Sequence, residues 1–161
     1  MDWSQLFSMQ KQLDTYIIRN HNLEQADLFQ KRLLALLVEI GELANETRCF
    51  KFWSTKPRSE RAAILEEYVD GIHFILSLGL EKGITDHEMK RHYEDRTETE
   101  QFNRVFASAI EYKNDPNQQN YERLFNDYLT LGHLLGIDEK ELQQAYMKKN
   151  EMNYQRQYDG Y

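Results

Sequence analysis

Apolar positions along the chain recur at intervals of three and four, and strand-like alternation is absent. Only two prolines and seven glycines punctuate 161 residues. The pattern predicts an all-α protein, a helical bundle of about six helices. A first helix is expected from about Asp2 to Arg19, with Asp2 as N-cap and Trp3, Leu6, Phe7, Leu13 and Ile17 along one stripe. After the turn Asn20-His21-Asn22, a second helix is expected from about Glu24 to Thr47. Leu33, Leu36, Leu37, Ile40, Leu43 and Ala44 fall in one arc of it, and Glu39, Glu42 and Glu46 in the adjoining arc. Arg48 to Arg58, containing CFKFWSTKP, reads as a loop. A third helix, Ser59 to Lys82, is apolar almost all round, the mark of a central helix, and Gly83 stops it.

Beyond Gly83, Asp86 is expected to cap a helix that the polar RTETEQ segment breaks or kinks before Phe102. Asn114-Asp115-Pro116 reads as a stop and restart, with Pro116 near an N1 position. The fifth helix carries Tyr121, Leu124, Phe125 and Tyr128 and runs as far as Gly136. Asp138 with Glu141 opens the last helix in the manner of a capping box. No stretch has linker composition, so residues 1–161 read as a single domain.

Two acidic pairs interrupt this pattern. Glu39 and Glu42 are three apart on the second helix, and Glu67 and Asp70 three apart on the third, so each pair shares a helix face. From Ala62 to Leu80 the only charged residues are Glu66, Glu67 and Asp70. Ionised carboxylates are costly in so apolar a stretch unless a cation or donor satisfies them. Four carboxylates from two facing central helices make an oxygen-rich site suited to Mg²⁺, and hence to phosphate chemistry. A lone ExxE would read as a solvated helix face; the second pair, on a helix with little solvated face, is what favours metal.

The net charge of −7 argues against a nucleic-acid binder, though a bound metal can neutralise a nucleotide locally. One cysteine, Cys49, allows no intrachain disulfide and fits a reducing cytoplasm. The N-terminal segment does not read as a signal peptide, and no apolar run is long and clean enough for a membrane span. There is no Gly-rich phosphate loop, no zinc spacing and no GxSxG elbow.

Further candidates flank the acids. His73 follows Asp70 by three and could bond a ligand base or a ligating carboxylate, or be a satisfied core histidine. Asn45 follows Glu42 by three and could orient a phosphate or a carboxylate, or be a surface amide. Trp53 offers a stacking face and Lys51 a charge for phosphate, against a loop that tucks one aromatic into the core. Lys149, Asn153 and Arg156, at i, i+4 and i+7, line one helical face that could close over a triphosphate. The plain alternative is a solvated last helix.

ExxE, FKxW, ExxDxxHF and the C-terminal KxxxNxxRQxxGY, with MQKQLD on the first helix, together resemble the dimeric all-α dUTPases, within the all-α nucleoside triphosphate pyrophosphatases. The resemblance spans nearly the whole chain. It implies Mg²⁺-dependent hydrolysis of dUTP to dUMP and pyrophosphate, with a metal-activated water as nucleophile, and possible use of dUDP. Glu39, Glu42, Glu67 and Asp70 would hold two or three Mg²⁺ ions, and Glu42 or Glu39 would orient and deprotonate the water. Trp53 would pack on the uracil, with Gln10 and His73 contributing to its recognition. Lys149, Asn153 and Arg156 would close on the phosphates, and Lys51 would position the loop or ligand. Asp14 stands where some of these dUTPases carry Asn. The resemblance also implies a homodimer, in keeping with an aromatic content (ten Tyr, eight Phe, two Trp) above what six modest helices easily bury. The rival readings are a sister pyrophosphatase acting on another nucleotide such as dCTP, and a non-catalytic helical interaction module.

Overall fold

The computed structural model describes residues 1–86 and 95–161. Among them are six helices and no strand: α1 Trp3–Asn20, α2 Phe29–Thr47, α3 Arg61–Leu80, α4 Glu98–Asn114, α5 Gln118–Leu134 and α6 Glu139–Tyr158. The protein is an all-α bundle. Its hub is α3, which packs against α1, α2, α5 and α6, while α2 also meets α4, α4 meets α5 and α1 meets α6. The reason lies in the composition of α3: Ile64, Tyr68, Val69, Ile72, Ile75, Leu76 and Leu78 are buried and point in all directions around the helix. Each such side chain taken out of water is worth about 1.5–3 kcal/mol.

Tyrosines fasten α3 to α5. Tyr68 and Tyr128 stack with ring centroids 4.8 Å apart, and each hydroxyl donates to the other residue's backbone carbonyl, at 3.2 and 2.9 Å. Tyr121 donates likewise to the Ile75 carbonyl at 2.9 Å. Gly71 and Gly132 make this approach possible, because a Cβ there would fall 2.0 and 2.2 Å from the hydroxyls of Tyr128 and Tyr68. Tyr68, Tyr112, Tyr121, Tyr128 and Tyr146 are all fully buried. Much of the aromatic content therefore packs within one chain, while Phe50, Phe52, Trp53, Tyr158 and Tyr161 stay exposed.

Several helix ends differ from the sequence expectation. The second helix begins at Phe29 rather than Glu24: Asn22 takes a left-handed φ of 54°, and Asp27 Oδ1 accepts from the Phe29 N–H at 3.1 Å, so residues 21–28 form a turn. The third helix is slightly shorter at both ends than Ser59 to Lys82, and Gly83, at φ 75°, sits in the turn that follows. RTETEQ contains the start of α4, ahead of Phe102. Thr97 caps α4 and forms a capping box with Glu100. Pro116 precedes the N-cap Asn117, outside the helix rather than at N1. The fifth helix ends at Leu134, two residues before Gly136, which takes φ 72°. Asp138 caps α6 as expected, but the Glu141 side chain pairs with Arg61 instead of returning to the cap. The helix expected after Asp86 would begin in residues 87–94, which lie outside the described residues.

Candidate active site

Packing of α2 on α3 brings Glu39 opposite Glu67 and Asp70, and one carboxylate oxygen from each lies within 4.8 Å of the others. Glu42, exposed one turn along α2, stands beside Glu39. Burial, followed by the charges of Asp70, Glu42 and Glu67, pushes the Glu39 carboxyl up to about 8. Burial likewise raises Glu67 and Asp70. Three like-charged carboxyls this close repel one another, and an all-oxygen donor set of this kind could hold a hard divalent cation.

Lys149 of α6 partly answers that charge. Its Nζ donates to Asp70 Oδ2 at 2.7 Å and to Glu66 Oε1 at 2.9 Å. Burial works against the charged amine, yet the bonds and charges of Asp70 and Glu66 outweigh it and hold the Lys149 pKa above its ordinary value. The same bond from Lys149 lowers Glu66.

The acids open on a cleft of about 430 Å³, walled by Gln10 and Asp14 from α1, Arg32 and Glu39 from α2, Asp70, His73 and Ser77 from α3, and Lys149, Asn153 and Arg156 from α6. One part of it is a hydrogen-bond network across α1, α3 and α6. His73 stacks on Tyr146, with ring centroids 4.2 Å apart, and its Nδ1 meets Gln10 Oε1 at 2.7 Å. Tyr146 donates to the same oxygen at 2.7 Å. Gln10 Nε2 donates to Asp14 Oδ1 at 2.8 Å and to Ser77 Oγ at 3.0 Å, and Ser77 donates to Asp14 at 2.9 Å. Burial raises the Asp14 carboxyl against the pull of Arg32, whose guanidinium lies 3.5 Å away. Burial also pushes the His73 imidazole down to about 3, so the ring is neutral. His73 Nε2 is buried with no hydrogen-bond partner among the described residues.

Seven of the residues singled out in the sequence meet in this cleft: Gln10, Asp14, Glu39, Asp70, His73, Lys149 and Asn153; Arg156 joins them from its exposed position. Glu67 belongs to the carboxylate group beside it. Asn45, Lys51 and Trp53 do not line it. Lys51 donates to Asn45 at the end of α2, and Trp53, 64% exposed, stands edge-on to Phe50 and Phe52. The loop carrying them is shaped by Arg48, at φ 57°, whose guanidinium donates to Ser54 Oγ and to the Lys56 carbonyl. Trp53 is thus not the core aromatic that one reading of the loop allowed.

Four residues of the site are not among the sequence candidates. Tyr146 lies one turn before Lys149 on α6, and Ser77 one turn after His73 on an otherwise apolar helix, so helical spacing from known candidates could have found both. Glu66 was visible as the third acid of α3. Arg32 carries no local signal, because its partners Asp14 and Glu81 come from other elements.

No curated protein matches the chain. The sequence model of the family described as dUTPase matches residues 2–161. That match runs from the N-cap of α1 to the last residue and takes in every wall of the cleft, and on that ground the chain belongs to the dUTPase family.

Proposed function

We propose that this dUTPase hydrolyses dUTP to dUMP and pyrophosphate with Mg²⁺ held by Glu39, Glu42, Glu67 and Asp70. The observation that carries the metal reading is the meeting of three carboxylates from two facing helices, each with its pKa raised. Mg²⁺ held by these carboxylates would offset the charge of the triphosphate and make a bound water more acidic. Glu42, or Glu39, orients the attacking water and takes its proton at a carboxylate oxygen. Lys149 exchanges Asp70 and Glu66 for phosphate oxygens, and Asn153 and Arg156 flank it from the same face of α6. Gln10 and His73 contact the base, with Asp14 behind Gln10. Trp53 packs on the uracil, and Lys51 with Asn45 steadies the 48–58 loop as it approaches the cleft.

The same reading treats residues 1–161 as one pyrophosphatase domain acting in the cytoplasm on dUTP, and on dUDP, with no nucleic-acid partner. Among the described residues no helix is long and apolar enough to cross a membrane. A homodimer accounts for Leu34 and Val38, exposed one turn apart on α2, and sedimentation or light scattering reads that state directly.

The test is pyrophosphate release from a panel of deoxynucleoside triphosphates, with Mg²⁺ and with EDTA, for the wild type and Glu42→Gln. Mg²⁺-dependent release from dUTP alone, lost in the variant, is the expected result. Release from dCTP instead would keep the metal site and overturn the uracil reading. No release from any nucleotide would favour a non-catalytic helical module.

A further inference from the structure

We propose that Asp14, Ser77 and Tyr146 are positioning residues that lock the Gln10 amide and, through it, the tautomer of His73, so that the cleft presents a bare ring nitrogen to its ligand. This rests on the reading of the cleft as the nucleotide site.

Donors and acceptors can be followed along one chain of contacts. Asp14 lies 3.5 Å from the Arg32 guanidinium and, ionised beside it, offers only acceptors. Ser77 therefore directs its single proton to Asp14 Oδ1, and turns a lone pair to Gln10. The Gln10 NH₂ group must face these two, because the reversed amide would set its carbonyl oxygen against the carboxylate. Gln10 Oε1 then faces Tyr146 and His73, both at 2.7 Å. The Tyr146 hydroxyl has carbonyl acceptors on both sides, Gln10 Oε1 and, at 3.4 Å, the Leu6 oxygen, so it acts as donor whichever it prefers. A carbonyl oxygen accepts and never donates, so His73 Nδ1 must carry a proton. The buried ring is neutral and has one proton only, which leaves Nε2 bare.

That bare Nε2 is buried and without a partner, on a residue that lines the cleft. Leaving an acceptor in this state is unfavourable unless a ligand donor completes it. The N3–H of uracil is such a donor, whereas N3 of cytosine presents a lone pair. Tyr146 acts twice, stacking on the imidazole to hold its plane and bonding Gln10 to hold its orientation. The Asp14 carboxylate supplies what an Asn at this position could not, since an amide can turn either end toward Gln10 and permit the reversed network.

The experiment is ¹⁵N NMR of histidine-labelled protein, with the His73 ring assigned through its backbone. The expected wild-type signal is a protonated Nδ1 and an unprotonated Nε2. Adding dUMP should shift Nε2 toward a hydrogen-bonded acceptor and leave Nδ1 protonated. Asp14→Asn and Tyr146→Phe should each admit the second tautomer and raise KM for dUTP by about tenfold, with a smaller change in kcat. A wild-type ring protonated on Nε2 overturns the lock even if neither variant folds. So does a single unchanged tautomer in both variants. A correct tautomer whose Nε2 ignores dUMP upholds the lock and rejects the base-binding reading instead.

Discussion

Gln10, Asp14, Ser77, His73 and Tyr146 hydrogen-bond to one another before any ligand arrives, whereas Glu39, Glu67 and Asp70 crowd together, with Lys149 bonded to Asp70 as counter-charge. Both groups lie on the same cleft and share α3. The first is neutral apart from the Asp14–Arg32 pair, and its geometry is set in advance, so little ordering remains for binding to supply. The second stores like-charge repulsion that a cation relieves. Recognition and charge handling thus place opposite demands on stability within one small region, and substitutions should separate them by sign.

The largest effect is expected at Glu39. Glu39→Gln should lower dUTP turnover by about 10²–10⁴-fold while raising the melting temperature of the metal-free protein at neutral pH, because it removes a carboxyl that on folding must either stay ionised among like charges or take up a proton. Parallel assay and calorimetry check both, and a fall in stability would break the contrast. Gln10→Leu should do the reverse. It leaves His73 Nδ1 and the Tyr146 hydroxyl buried without their shared acceptor, at a cost of about 1–3 kcal/mol, and raises KM while Mg²⁺ binding by titration calorimetry is retained. Trp53→Ala belongs to neither group. Its exposed ring should cost about 1–3 kcal/mol of nucleotide affinity and leave the unfolding midpoint unmoved in denaturant.

The pH dependence of metal-free stability sharpens the same contrast. Glu39 is raised from 4.5 to about 8, so its contribution is present at low pH and is lost as pH climbs through that range. His73 is depressed from 6.5 to about 3, so its contribution is present above 6.5 and is lost as pH falls toward 3. Thermal melts in EDTA should show a maximum at about pH 5–6. Saturating Mg²⁺ should lift the alkaline limb and leave the acid limb in place. The smallest effect is expected for Glu66→Gln. It removes one exposed partner of Lys149 and should cost less than about 1 kcal/mol in the metal-free melt, diminishing as salt is added.

The helical period made the six helices legible, and the apolar circumference of α3 marked it as the hub. Caps formed by a single side chain were readable at Asp2 and Asp138. The capping box at Thr97 was not legible, because in sequence RTETEQ shows only as a polar interruption. The aromatic count was legible, but not which rings are buried: the sequence gives no hint that Gly71 and Gly132 make room for tyrosines. The acid pairs were visible from spacing and from their apolar setting; Ser77 and Tyr146 share helical spacing with His73 and Lys149, but their roles, like that of Arg32, depend on partners from another helix.

What the sequence determined by itself is local: helix period, most caps, and which residues share a face, all governed by atoms within a turn or two of one another. Only the tertiary structure decided which polar atom meets which. His73 reaches Gln10 across 63 positions, Lys149 reaches Asp70 across 79, and Tyr146 reaches Gln10 across 136. An amide's orientation, an imidazole's tautomer and a carboxylate's pKa depend on the few atoms within hydrogen-bond or Coulombic range, and here the packing of α1, α2, α3 and α6 chose those atoms.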